Sequence, residues 1–202
     1  MTVKIQKQIN RDNLLSQGVA LLMAHGYHGT GLKALLDAVN IPKGSFYNYF
    51  GSKEQFGAEA IQHYIEPFIQ QLNSCLAQNP DDSLAAIRGY FRQHISELQA
   101  ADFQGGCLLG NLMGEIGDSS EVCRQSLQNA VARYRNTLQA GLTRAQTQGR
   151  VRTDKTAGEL ADILVNAWQG VLLRAKIEKS TLPLDQYCRD LLDDYIVATQ
   201  QH

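Results

Sequence analysis

The chain is poor in proline and contains no glycine- or serine-rich run, so its composition marks no flexible linker between domains. Only four prolines are spread over its 202 residues, and a chain of this length buries a sizeable core. No stretch approaches the run of about 18 apolar residues that a membrane helix needs, and the first residues lack the apolar region of a signal peptide. We therefore expect a globular protein of the cytoplasm that does not enter a membrane.

Cysteines are few and scattered, with no C-x-x-C spacing. They occur at Cys75, Cys107, Cys123 and Cys188. In a cytoplasmic chain this pattern is typical of free thiols rather than of disulfides or zinc ligands. His25 and His28 lie three residues apart, but no neighbouring cysteine or acid completes a set of ligands. The sequence therefore predicts neither a metal site nor a cofactor.

The chain also has little net charge, only −1 at pH 7, but that charge is unevenly distributed. Residues 1–53 carry six basic and two acidic side chains, a net charge of +4, whereas residues 54–202 carry 13 basic and 18 acidic ones, a net charge of −5. A basic head on an acidic body fits a DNA-binding domain at 1–53 joined to a sensing and dimerisation domain at 54–202. An excess of four charges is modest and also fits chance unevenness.

The most informative stretch is Thr30–Lys53, TGLKALLDAVNIPKGSFYNYFGSK. Its first half has one apolar helical face, formed at spacings of three and four by Leu32, Leu35, Leu36 and Val39. Asn40–Pro42 then breaks the helix, and a second helix over Pro42–Tyr49 is predicted, because proline is tolerated in a first turn. Phe46 and Phe50 are its apolar anchors, and its other residues are polar or small. This is the layout of a helix-turn-helix, whose second helix enters the DNA major groove.

The extended pattern resembles the DNA-binding domain of the TetR family of transcriptional repressors. The matching features are a Gly-Tyr turn, a Thr cap, Lys-Gly-x-x-Tyr-x-x-Phe and Ser-Lys-Glu, found at Gly26-Tyr27, Thr30, Lys43–Phe50 and Ser52–Glu54. The resemblance implies an all-α chain of about nine helices, with a three-helix head and a C-terminal ligand-binding and dimerisation domain. It also implies a homodimer that binds a double-stranded DNA operator.

The recognition helix offers the chemistry that readout of DNA requires, namely cations and hydrogen-bonding groups for phosphates and base edges. Lys43 suits a guanine or a phosphate, Asn48 an adenine or a phosphate, and Lys53 lies at an anion-binding helix N-terminus. Thr30 is also predicted to cap the second helix. From these residues and from the resemblance, the predicted DNA-binding set is Thr30, Lys33, Lys43, Gly44, Ser45, Tyr47, Asn48, Tyr49 and Lys53.

Beyond the head, the pattern predicts helices and no strands. Ser52 and Gln55 read as a capping box for the fourth helix, and Gly26 as the end of the first. Other predicted bounds are Gln6–His25, Ser83–Ala100, Asp154–Lys179 and Leu184–Thr199. The last two helices have broad apolar faces that suit a two-fold interface, although a monomeric core shows the same stripes. These faces comprise Leu160, Leu164, Ala167, Trp168, Val171, Leu172, Ala175, Leu184, Tyr187, Leu191, Leu192 and Tyr195.

Cys107 is the candidate sensor. It follows Gly105-Gly106 at a predicted helix start, where free N–H groups favour the reactive thiolate, although a buried and inert thiol is the commoner fate. The segment GGCLLGN resembles the branch of TetR-type repressors that control reductases and unsaturated-compound metabolism, several of which respond to electrophiles. Trp168 and Lys176 are further candidate ligand residues. Lys176 could lower the pKa of a thiol or bind an acidic ligand; the alternative is that its side chain extends into solvent.

The predicted function is therefore a repressor released by an unknown small molecule or by thiol modification. A cysteine-dependent enzyme acting on electrophiles is the alternative, with His94 as the candidate base for Cys107, but no nucleophile motif surrounds that cysteine. A purely structural helix bundle is the third reading, and it leaves the exposed surface of Lys43–Tyr49 unexplained. We expect a regulator rather than an enzyme.

Overall fold

The computed structural model describes residues 2–39, 41–103 and 106–198, and this part of the chain is almost entirely helical. Its elements are α1 (Thr2–Gly29), α2 (Leu32–Val39), α3 (Lys43–Phe50), α4 (Lys53–Gln78), α5 (Ser83–Ala100), α6 (Leu108–Ile116), α7 (Glu121–Thr147), α8 (Ala157–Glu178), α9 (Leu182–Tyr187) and a π-helix (Cys188–Tyr195). The expected all-α architecture is confirmed. Five predicted features lie outside the described residues: Asn40, Gln104, Gly105, Thr199 and the Val39 side chain.

Several helix ends follow their predicted caps. Asp82 accepts the N–H of Ala85 at 2.9 Å, so α5 begins at the predicted Ser83. Ser52 accepts the N–H of Gln55 at 3.0 Å. That capping box is only half formed, however, because the Ser52 N–H is donated to a backbone carbonyl instead. Within the described residues, no helix is long and apolar enough to cross a membrane.

The start of α8 differs from the prediction. The helix begins at Ala157 rather than at Asp154, because Thr156 and Glu159 form a complete capping box there. Asp154 instead pairs with Arg152 at 2.6 Å. A threonine that exchanges two hydrogen bonds with the third helical residue fixes a helix start more firmly than a lone carboxylate upstream does.

The last predicted helix is not a single α-helix. Pro183 occupies the first turn of α9, which ends at Tyr187, and the chain then widens into the π-helix. Arg88 of α5 donates to the Leu192 carbonyl through Nε at 3.1 Å and Nη2 at 2.9 Å. An arginine from another helix thus satisfies a carbonyl of the π-helix.

The chain divides into two compact units. The first comprises Met1–Glu66 with Cys107–Ala130, and the second comprises Pro67–Gly106 with Val131–His202. Helices α4 and α7 each run through both units. The domain boundary predicted between residues 53 and 54 stays a prediction.

Aromatic rings form the centre of the first unit. Phe46 is fully buried and Phe50 is 4% exposed, as their role as anchors predicts. Their ring centroids lie 5.3 Å apart, and each lies within 5.4 Å of Phe56 at the start of α4. Offset or tilted aromatic pairs at these distances add to the stabilisation from buried area. The three rings therefore fix α3 against α4.

A carboxylate from α6 holds the end of α1. The backbone of Gly26 has φ +71°, which breaks α1 as predicted and leaves the next two amides without helical acceptors. Glu115 accepts the N–H of Tyr27 at 2.8 Å and that of His28 at 2.6 Å. A Cβ on Gly26 would lie only 2.6 Å from the Glu115 carboxylate, so the contact also requires glycine there. We call this contact the Glu115 clamp.

Lys53 and Thr30 complete the same corner of the head. Lys53 Nζ donates to the Tyr27 carbonyl at 2.8 Å and lies 4.4 Å from the centroid of the Tyr27 ring. Burial lowers the pKa of Lys53, and the Glu115 carboxylate opposes that shift. Thr30 is fully buried, with its hydroxyl 2.6 Å from the Gly26 carbonyl. The prediction that Thr30 caps α2 is therefore wrong, because its hydroxyl bonds backward to α1.

We expect Glu115→Ala to lower the free energy of unfolding by about 1–3 kcal/mol, because it leaves two amides without their charged acceptor. Glu115→Gln keeps one acceptor oxygen, so its loss is expected to be smaller. Urea unfolding followed by circular dichroism measures both. Glu121→Ala is the control, since Glu121 is exposed and its partners, Arg124 and Gln125, are surface residues of the same helix. An equal loss in the Glu121 and Glu115 variants contradicts the clamp.

Candidate nucleic-acid interface

The recognition helix α3 presents a polar face to solvent. Pro42, with φ −64°, precedes it, and Gly51, with φ +73°, ends it by donating its N–H to the Tyr47 carbonyl at 2.9 Å. Because Phe46 and Phe50 lie one turn apart and point inward, the remaining positions face outward. Lys43, Gly44, Tyr47 and Asn48 are exposed, and Ser45 and Tyr49 are half-buried.

Three predicted DNA-binding residues lie outside α3, and the structure treats them differently. Lys33 is exposed on α2. Lys53 is half-buried and bonded to the Tyr27 carbonyl, which occupies one of its three N–H donors. Thr30 has no exposed surface at all. Its hydroxyl bonds to backbone carbonyls of α1 and does not face solvent, and the predicted contact of Thr30 with DNA stays a prediction.

A cation on α1 extends this surface and was missed by the sequence reasoning. Lys7 is exposed, and its Nζ lies 5.8 Å from the centroid of the Tyr49 ring. Arg11, one turn later, interacts with other residues of the protein instead. It forms an ion pair with Glu59, and its guanidinium lies 5.2 Å from the centroid of the Phe50 ring. The four-residue spacing of Lys7 and Arg11 in the sequence indicates that both lie on one face of α1. It does not indicate which of the two cations is exposed and able to contact DNA.

The candidate sensor Cys107 lies in the first unit, immediately before α6. It is 6% exposed. Burial raises the pKa of its thiol, although the backbone N–H groups of Gly110 and Leu109 and the Tyr64 hydroxyl act in the opposite direction. The expected helix-terminus effect is therefore present but smaller than the cost of removing a thiolate from water. Burial thus favours the neutral thiol, which is the buried and inert alternative that the sequence left open beside the reactive thiolate.

The other two candidate ligand residues, Trp168 and Lys176, belong to the second unit. Trp168 is 3% exposed, and its ring centroid lies 4.8 Å from that of Phe91 and 5.0 Å from that of Tyr187. Lys176 is half-buried, and its aliphatic chain lies against Gly106, where a Cβ would meet it at 2.9 Å. In the described part of the chain, no group of three or more His, Cys, Asp or Glu residues is placed to hold a metal ion.

The apolar faces predicted for dimerisation lie largely inside the second unit. Leu160, Leu164 and Leu184 have no exposed surface, and Leu192 is 1% exposed. A different set of large apolar side chains faces solvent at the end of α8 and the start of α9. These are Leu173 at 40%, Ile177 at 80% and Leu182 at 54% exposure. Helical periodicity alone did not distinguish the buried apolar side chains from the exposed ones.

Two family models match the chain. The model described as bacterial regulatory proteins, tetR family, matches residues 14–60, which contain the helix-turn-helix. The model described as tetracyclin repressor-like, C-terminal domain, matches residues 83–191. Members of this family are DNA-binding transcription factors and not enzymes, which removes the cysteine-dependent enzyme as an alternative.

Named proteins resemble the chain over most of its length. The transcriptional repressor DhaR of Mycobacterium sp. (strain GP1) is 31% identical over 94% of this chain and 94% of its own. The transcriptional repressor NemR of Escherichia coli (strain K12) is 33% identical over 87% of this chain and 88% of its own. The crystal structure of the reduced form of E. coli NemR has a TM-score of 0.84 at 28% identity and covers 96% of this chain and 100% of that one. The chain therefore belongs to the TetR family of DNA-binding transcriptional regulators.

Proposed function

We propose that the protein is a transcriptional repressor that binds a double-stranded DNA operator as a homodimer and leaves it in response to a small molecule or an electrophile. The observation that carries the proposal is the exposed polar face of α3, opposite the buried rings of Phe46 and Phe50. Repressor is the function in the names of the relatives DhaR and NemR. Their similarity extends over both units of this chain, and so supports the same function here.

In this proposal, α3 enters the major groove. Lys43 and Asn48 carry groups that reach base edges, whereas hydroxyls and lysines dock on phosphates. Lys7 adds a phosphate contact from α1, because it stands beside Tyr49 with its charge exposed. The DNA-binding surface then comprises Lys7, Lys33, Lys43, Gly44, Ser45, Tyr47, Asn48, Tyr49 and Lys53.

The proposed dimer contact is the exposed apolar patch of Leu173, Ile177 and Leu182. Exposed apolar side chains that lie together are a feature of interaction sites. A two-fold interface uses the same patch on both subunits, so one surface is sufficient. The proposed occupant is a second copy of this chain, because helix-turn-helix regulators read two half-sites with two heads.

The proposed response begins at α6. Cys107 lies at the N-terminal end of this helix and Glu115 near its C-terminal end, both in the first unit. Adding a group to the buried thiol cannot be accommodated without displacing its neighbours, since interiors are close-packed. A displaced α6 weakens the Glu115 clamp on α1 and so alters the position of the helix-turn-helix. The crystal structure of NemR in a reduced form supports redox or thiol chemistry as the trigger in a relative.

The DNA proposal predicts salt-dependent binding to DNA from upstream of the regulated genes. Replacing Lys7 by Gln is expected to weaken binding to all DNA sequences. It is also expected to reduce the slope of log affinity against log salt concentration by about 0.9, because one phosphate contact fewer releases correspondingly fewer counterions. Lys43→Gln is expected to lower affinity and also to change sequence preference if it meets a base edge. Fluorescence anisotropy over a range of salt concentrations measures both.

Lys155→Gln is the matched control for the DNA-binding variants, because it removes the same charge from the second unit. Its salt slope is expected to equal that of the wild type. Absence of salt-sensitive binding by the wild type contradicts the DNA proposal. If the salt slope of Lys7→Gln equals that of the wild type, only the proposed phosphate contact of Lys7 on α1 is contradicted.

The dimer proposal predicts that Ile177→Glu shifts the protein toward monomer, because a charge would have to be buried in the apolar interface. Sedimentation velocity over a range of protein concentrations measures the shift. Val122→Glu is the control, since Val122 is 41% exposed on α7 and outside the patch. A dimer that Ile177→Glu leaves intact places the interface elsewhere.

The thiol proposal predicts that N-ethylmaleimide releases the wild type from its operator but does not release Cys107→Ser. Because burial raises the pKa of Cys107, the reaction is expected to be slower at pH 7 than that of an unburied cysteine and to accelerate about tenfold per pH unit below that pKa. Mass spectrometry follows modification and anisotropy follows release. Cys75→Ser is the control. Equal release of Cys107→Ser and wild type removes Cys107 from the mechanism.

A further inference from the structure

His94 on α5 is a buried histidine that the helix-turn-helix and the sensor cysteine do not use. It is only 9% exposed, and its Nδ1 has no hydrogen-bond partner among the described residues. Burial lowers its pKa to about 4, with the Glu97 carboxylate opposing the shift, so the ring is neutral near pH 7. Buried polar atoms in folded proteins nearly always have a partner. A buried nitrogen without a protein partner is therefore a candidate hydrogen-bonding position for a bound molecule.

Aromatic rings surround the His94 imidazole. The His94 ring lies 5.0 Å from Phe68, 5.5 Å from Trp168 and 6.2 Å from Tyr90, measured between centroids. We call these four residues, all in the second unit, the His94 site. Tyr90 and Trp168 are buried, whereas Phe68 is half-buried and lies at 31° to the imidazole plane. Phe68 is therefore the wall of the site nearest to solvent and the ring that an incoming molecule displaces.

The chemistry of the walls defines the class of ligand. Small-molecule sites are mainly apolar and aromatic, with a few polar groups that orient the ligand. Flat aromatic walls favour a flat ring, which stacks offset or edge to face. A neutral imidazole carries one donor and one acceptor nitrogen, and a phenolic hydroxyl both donates and accepts, so it matches either tautomer. A neutral ring also offers no ion pair to a carboxylate.

We propose that the His94 site binds an uncharged aromatic molecule bearing a hydroxyl group, a simple phenol, with its ring among the aromatic side chains and its hydroxyl on His94 Nδ1. Phe68 turns aside as the ligand enters and takes no part in the hydrogen bond. The inference rests on the proposed function, because it gives that regulator an effector class. Binding at the site itself does not require DNA.

Trp168 makes the test direct, because it is the single tryptophan of the chain and lies beside His94. The full-length protein, without DNA, is titrated with 4-methylphenol, toluene and 4-methylbenzoate while Trp168 fluorescence is recorded. These probes share one ring and differ in the hydroxyl and the charge. Saturable quenching is expected, with 4-methylphenol about five- to tenfold tighter than toluene because of one added hydrogen bond. 4-Methylbenzoate is expected not to bind.

The variants locate the hydrogen bond. In His94→Phe, the preference for 4-methylphenol over toluene is expected to disappear while toluene still binds. His63→Phe is the control, because His63 lies in the first unit, 2.9 Å from the Ser16 hydroxyl, and it is expected to keep the preference. His94→Gln restores a polar group, so it is expected to recover part of the preference. Circular dichroism confirms that each variant is folded.

Two results overturn the inference: equal affinity of the wild type for 4-methylphenol and toluene, or a His94→Phe variant that keeps the preference. The comparison of 4-methylphenol with toluene uses only the wild type, so it can be made even if the His94→Phe variant fails to fold. Operator release is then measured separately with 4-methylphenol. Binding without release leaves the site standing and removes its effector role, whereas failure of the wild type to bind any DNA contradicts the proposed function and leaves the site unaffected.

Discussion

The position of the helix-turn-helix depends on one carboxylate. Gly26 turns the chain out of the helix, so the amides of Tyr27 and His28 lose their helical acceptors, and Glu115 takes both. The helices that follow, α2 and α3, inherit their starting point from that corner. A residue that lies 87 positions after His28 in the sequence therefore sets the entry to the DNA-reading segment. Local helix propensity has no part in this constraint, whereas displacement of α6 acts on it directly.

Removal from water decides the state of the two most interesting titratable side chains. At Cys107, backbone N–H groups at the start of α6 favour the thiolate, but burial outweighs them and raises the pKa. At His94, Glu97 favours the charged ring, but burial again outweighs it and lowers the pKa. In both cases the neighbouring charge or dipole is visible in the sequence, whereas the depth of burial is set by packing. The neutral thiol and the neutral imidazole are therefore properties of the tertiary fold.

The distinction between local sequence signals and tertiary packing explains which features could be predicted from the sequence. Several local signals predicted correctly: Asp82 starts α5, Gly26 breaks α1, and Phe46 and Phe50 anchor α3, although the local capping box of α8 was missed. Features that depend on a distant partner were missed or misjudged. Thr30 has the residue type of a cap but bonds backward to α1, and Arg88 of α5 binds the Leu192 carbonyl of the π-helix. Helical periodicity likewise gave Leu164 and Ile177 the same apolar character, although one is fully buried and the other is 80% exposed.

Two helices, α4 and α7, run through both units, and only α4 contains a proline. The boundary between the units falls in α4 between Glu66 and Pro67. Proline donates no N–H, so α4 lacks one i to i−4 hydrogen bond at the boundary. The boundary in α7 falls between Ala130 and Val131, and neither residue is a proline. Helix α7 contains no proline, so its sequence removes no backbone donor at the corresponding position. Helix α4 therefore has one backbone donor fewer at the boundary, while its first residue, Lys53, bonds Tyr27 within the corner that Glu115 holds.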